Sequence, residues 1–80
     1  MRLPRDISGE DLARSLVVLE YRQIRQTGSH LRLTTDRFGE HHVTNPRHNP
    51  LRIGTLNSIL RDIAEHHHMD RDRLTEVLFG

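Results

Sequence analysis

Residues 25–35 read RQTGSHLRLTT, which sets an imidazole, His30, directly after Gly28 and Ser29 and between Arg25 and Arg32. These residue types suit phosphodiester chemistry. Guanidinium forks hold phosphate oxygens bidentately, and an imidazole that titrates near neutrality can move a proton to or from an attacking 2′-hydroxyl or a departing 5′-oxygen. A second basic group, Arg47 and His48, lies in NPRHNP. Prolines restrict that loop, so its side chains are presented with little entropy left to lose, and phosphate contact is the expected use. Arg5, ahead of the first helix, is a further basic group for the same surface. A lone surface histidine is usually solvated filler, so the elements that position His30 have to decide its case.

Strand alternation speaks to that position. YRQIRQ and HLRLTT are separated by TGS and read as a hairpin, with Leu31 and Leu33 alternating against His30, Arg32 and Thr34. If the leucines face the core, His30, Arg32 and Thr34 face away from it. DRFGE supplies a second turn, with Gly39 able to take a positive φ, and HHVT is a short third strand that ends before NPRHNP. His41 and His42 must then point to opposite sides. His42 and Thr44 share one face, which the strand register alone can assign to the His30 side or the other.

Helical patterns flank this meander. ISGEDLARSLVVLEY has Ser8 as N-cap, acids in its first turn, and Leu12, Leu16 and Leu19 at helical spacing with Ala13 and Val17 beside them. GTLNSILRDIAEH places Leu56, Ile59, Leu60, Ile63 and Ala64 on one stripe, and Asp70 caps a short closing helix with Leu74, Val77 and Leu78 inward. The expected fold is α+β: helix, three-stranded antiparallel sheet, helix, short C-terminal helix, with the helices on one sheet face and the other face open.

The chain has 80 residues and no cysteine. A chain of that length buries only about 60% of its unfolded surface, so residues 1–80 are expected to form one domain. Disulfides and thiolate metal sites are excluded, and neither the N-terminal stretch nor any apolar run suits secretion or a membrane span; a cytoplasmic protein is expected. Net charge is +1, but residues 21–53 hold six Arg against two acids, a local +4, together with His30, His41, His42 and His48. Such a segment suits a polyanion. Consecutive His66, His67 and His68 point about 100° apart on a helix and cannot close on one metal ion, so a cation-tolerant helix C-terminus is the expected reason for them. Tyr21 and Phe38 stand at a strand start and a turn, leaving no aromatic platform for bases.

LPRDISGEDLARSL, RQTGSHLRLTT and HHVTNPRHNPLRIGTLNSIL, in this order and spacing, resemble the HicA (YcfA-like) toxins of type II toxin-antitoxin systems, over about residues 3–79. The resemblance implies a double-stranded-RNA-binding-domain-like fold, cleavage of messenger RNA without metal or other cofactor, and neutralisation by a HicB-like antitoxin. It places the catalytic histidine of a G-S-H motif at His30, with Arg25, Ser29, Arg32, Arg47 and His48 as RNA-binding residues beside it. A monomer alone and a hetero-oligomer with the antitoxin are expected. The chain departs from the family pattern at Glu20, where a glycine is common before the aromatic residue; at Leu31, which leaves a single imidazole at the turn; and at EHHHMD, where a glycine usually ends the long helix. Two rival classes are a non-catalytic RNA-binding module that uses the same basic face, and a structural partner whose function resides in the other half of a complex.

Overall fold

The computed structural model describes residues 4–80, so Leu3 of the first motif lies outside the described residues. The elements are α1 (Gly9–Ser15), a 3-10 turn (Leu16–Leu19), β1 (Arg22–Gln26), β2 (His30–Thr35), β3 (His41–Pro46), α2 (Ile53–His66) and α3 (Arg71–Phe79). This is the α+β order that the patterning predicts. Ser8 opens α1 through a reciprocal cap: its hydroxyl accepts from the Asp11 N–H at 3.0 Å, and the Asp11 carboxylate accepts from the Ser8 N–H at 3.1 Å. That N–H, then the hydroxyl and Arg14, hold the Asp11 carboxyl below its ordinary range.

The three strands form an antiparallel meander in the order β1-β2-β3. Leu31, Leu33, Val43 and Asn45 point to the helices, where Leu12, Leu16, Leu19, Leu56, Leu60, Ile63 and Leu74 complete the core. Among the described residues no helix lies on the opposite face. The middle strand breaks simple alternation near its end: Thr34 shares the parity of His30 and Arg32, yet it is only 4% exposed. Arg22 and His42 stand opposite it on the two neighbouring strands, and its hydroxyl donates to the His41 carbonyl at 3.3 Å.

The first helix is shorter than its apolar stripe. After Ser15 the chain tightens into the 3-10 turn, which keeps Leu16 and Leu19 inward at i and i+3 but turns Val17 out to 64% exposure, where helical spacing had placed it beside the core. Glu20 then takes the left-handed conformation a glycine would take, at φ 65°, and its N–H donates to the Leu16 and Val17 carbonyls. The missing glycine is thus replaced in geometry but not in ease, since a side chain in that region costs of order 1–2 kcal/mol. The end of α2 is solved the same way. His68 is left-handed at φ 57°, its N–H donates to Glu65 and that of Met69 to Ala64, a Schellman closure made without glycine.

Gly9 is required where α1 meets the end of β3. A Cβ built there would stand 1.9 Å from the Pro46 carbonyl oxygen. The contact is held by the Gly9 N–H donating to the His48 carbonyl at 3.0 Å and by Asn45 Nδ2 donating to the Gly9 carbonyl at 3.2 Å.

Candidate active site on the open sheet face

His30 begins β2 on the open face and is exposed, as alternation requires. The turn before it is held by Thr27. The Thr27 hydroxyl accepts from the Ser29 and His30 N–H groups at 3.3 and 3.0 Å, while the Thr27 N–H donates to the His30 carbonyl at 2.9 Å. A threonine hydroxyl that captures main-chain donors two and three residues on is a local turn-forming device. The TGSH spacing carries the signal for this turn, with Thr27 and not Gly28 as the residue that builds it. Ser29 Oγ lies 2.9 Å from His30 Nδ1. One ring nitrogen is thus tied to a neighbour, and Nε2 is the nitrogen left to act on a ligand.

Register assembles the basic row. Arg25 stands opposite Arg32, and Arg32 opposite Thr44, so all three share the face of His30. Arg32 Nη1 donates to Thr44 Oγ1 at 3.3 Å, which steadies the guanidinium across the sheet. A bulge at Ile24 lets Arg25 keep this face despite the odd spacing from Arg22. Among the described residues Arg25 has no ion-pair partner. His42 is on the open face too, but opposite Thr34, four residues along β2 from His30, or about 13 Å at the ordinary strand rise. It pairs with Glu40 at 3.3 Å instead.

The NPRHNP loop arrives from β3 beside the same turn. The Arg47 N–H donates to the Ser29 carbonyl at 2.8 Å, its Nη1 donates to the Thr27 carbonyl at 3.4 Å, and its Nη2 lies 3.5 Å from Glu10 Oε1. His48 is exposed on the loop beyond it, and Arg5 is exposed ahead of α1. The structure therefore brings Arg25, Ser29, His30, Arg32 and Arg47 to one end of the sheet, with Arg25, His30 and Arg32 on its open face and Arg47 on the α1 side of the turn, and His48 adjacent in the chain. Glu10 had no sequence signal, because only the docking of α1 on β3 brings it near the turn.

The remaining histidines form a separate cluster at the far end of the sheet. His41, opposite Thr35, lies with Nδ1 2.7 Å from the Tyr21 hydroxyl and Nε2 3.3 Å from Asp62. His67 Nε2 lies 3.0 Å from the same hydroxyl, and its Nδ1 is buried with no partner among the described residues. One direction of donation satisfies the chain: His67 Nε2–H to Tyr21, Tyr21 O–H to His41 Nδ1, His41 Nε2–H to Asp62. His66 stacks on His41 with ring centroids 4.3 Å apart and donates to the Arg37 and Gly39 carbonyls of the β2–β3 turn. His66 stands in the last turn of α2, where a cation is tolerated, but each of the three histidines also has a contact of its own: His66 clasps a turn, His67 is buried, and His68 makes the backbone closure. Among the described residues no group of histidine and acidic side chains is arranged to hold a metal ion.

Burial, and then electrostatic repulsion from the neighbouring His66, His41, Arg37 and His68, push the His67 imidazole down to about 4. Burial, with the Asp62 carboxylate, raises the Tyr21 phenol. Protonating His67 would also bury an N–H without an acceptor. As pH falls below about 6.5 the unfolded chain takes up this proton first, so the contribution is complete near pH 7 and is lost towards pH 4, by on the order of 2–3 kcal/mol. Urea midpoints at pH 7, 5.5 and 4.5 should fall accordingly, and His67→Gln should flatten the slope. An unchanged slope in that variant would remove His67 as the cause.

The geometry defines a small α+β protein that presents the His30 imidazole beside a row of arginines on an uncovered sheet face. A family model described as HicA toxin of bacterial toxin-antitoxin matches residues 9–64, from the first residue of α1 almost to the end of α2. The chain belongs to the HicA toxin family: it is a toxin of a toxin-antitoxin system, and an antitoxin is its partner. Searches of curated proteins and of solved structures gave no match. No helix among the described residues is long and apolar enough to cross a membrane.

Proposed function

We propose that this toxin is an endoribonuclease that cleaves messenger RNA with its own side chains, His30 being the general acid or base. What supports the reading is one observation above the rest: a solvent-facing imidazole with Nδ1 engaged by Ser29, standing beside the Arg25–Arg32 row. Arg25 and Arg32 hold the phosphate through charge-assisted bonds and offset the charge that builds on its oxygens. His30 Nε2 takes the proton of the nucleophile, a 2′-hydroxyl or water, as the new bond to phosphorus forms. The bond from phosphorus to the 5′-oxygen breaks, and the imidazolium returns the proton to that oxygen. A single imidazole serves both steps, so its reset needs no second histidine. Ser29 supports both states, because Nδ1 keeps its proton while Nε2 gains and loses one, and the Ser29 hydroxyl accepts from it throughout.

The face is flat and lacks an aromatic platform, so contact with the RNA backbone dominates over base reading. In the cell a HicB-like antitoxin covers this face; an acidic protein surface is complementary to the excess of arginine in residues 21–53. The test is incubation of pure protein with labelled messenger RNA in EDTA. Discrete fragments are expected, with protection when the antitoxin is added; reversal of Arg32 to Glu should abolish antitoxin binding, read by co-purification and not by cleavage. A gel shift with intact RNA would instead make the chain a binding module.

A further inference from the structure

The Glu10–Arg47 pair lies between the first helix and the turn that carries His30, and the contacts of Arg47 differ from those of Arg25. Arg25 is open and unpaired among the described residues. Arg47 is largely spent: its N–H is on the Ser29 carbonyl, Nη1 on the Thr27 carbonyl and Nη2 on the Glu10 carboxylate, while Nε is buried without a partner. Both carbonyls belong to the three-residue turn that sets the His30 ring. The backbone that carries Glu10 is held, since it follows Gly9, whose N–H and carbonyl are pinned to His48 and Asn45.

We infer that Glu10 and Arg47 are positioning residues for His30: the carboxylate orients the guanidinium, the guanidinium holds the Thr27–Ser29 turn, and the turn aims the imidazole. The inference rests on the ribonuclease reading of His30 and alters the part Arg47 plays within it, from a clamp on phosphate to a strut behind the turn. The carboxylate is what separates the two roles. A negative group 3.5 Å from the guanidinium competes with phosphate, so a clamp would work better without Glu10. A strut would work worse.

Glu10→Gln therefore has opposite signs in the two cases. With a short RNA substrate the strut predicts that Glu10→Gln lowers kcat about 10-fold with KM changed less than about 2-fold, since small misplacement of a reacting group is costly while substrate binding is kept. Arg47→Ala should do the same, the double variant should add little to either single one, and Arg47→Lys should recover only part because its ammonium cannot span two acceptors. A fall in KM in Glu10→Gln, or unchanged kcat, overturns the strut. His30→Ala in the same assay decides the underlying reading separately. Amide hydrogen exchange gives a readout that needs no catalysis: Glu10→Gln should speed exchange at the Arg47 and Thr27 N–H groups and leave the Leu33 and Leu60 N–H groups as they were. Equal protection of the turn in both proteins would also overturn the proposal.

Discussion

His30→Ala is expected to slow RNA cleavage by about 10²- to 10⁴-fold, the usual worth of general acid-base catalysis, and to let a host without the antitoxin grow as if no toxin were expressed. KM should move little, since Arg25 and Arg32 remain to hold the phosphate. The substitution is informative because its structural cost is small. His30 is exposed, its side chain has one hydrogen-bond partner among the described residues, Ser29 Oγ, and its backbone stays bonded to Thr27. Stability should change by no more than about 0.5 kcal/mol. A melting curve that overlays wild type, together with lost cleavage, assigns the loss to the imidazole. Wild-type rates in the variant would take His30 out of the chemistry and leave the arginine row as a binding surface only.

Gly9→Ala has the largest expected effect on the fold. Its added methyl would meet the Pro46 carbonyl oxygen at 1.9 Å, a backbone atom that cannot rotate away. Either α1 lifts from β3 or the NPRHNP loop shifts, and both routes break the Gly9–His48 and Asn45–Gly9 bonds. A cost of about 3 kcal/mol or more follows, which is roughly 12–24 °C in the melting temperature of a chain this size. Gly28→Ala makes the control. Nothing lies within 4 Å of a Cβ at Gly28, and its φ is not positive, so a change within about 0.5 kcal/mol is expected there. Equal losses at both positions would show that the close approach at Pro46 is not what Gly9 serves.

That pair of glycines illustrates how sequence and structure divide the information. Gly28 stands in the motif that draws the eye, yet the turn is built by the Thr27 hydroxyl and needs no special backbone conformation. Gly9 looks like an ordinary early helix residue, and its necessity appears only when two segments 37 positions apart touch. Glu20 and His68 were legible as departures from the family pattern. What they do instead, adopting glycine's left-handed geometry themselves, depends on tertiary contacts that over-determine the backbone there.

Local chemistry and period made the elements readable: the Ser8 and Asp70 caps, the apolar stripe of α2, and the two-residue alternation that sends Leu31 and Leu33 one way and His30 and Arg32 the other. Those signals act between near neighbours, so a linear reading contains them. Register across the β2–β3 turn is different, because a one-residue slip would exchange the faces of His42 and Val43 without altering any local preference. Packing settled that register, and with it the distance of His42 from His30. It also joined Tyr21, His41 and His67 into one buried polar chain and set Glu10 against Arg47. Such contacts depend on where whole elements come to rest, a consequence of the shared core, and no spacing along the chain encodes them.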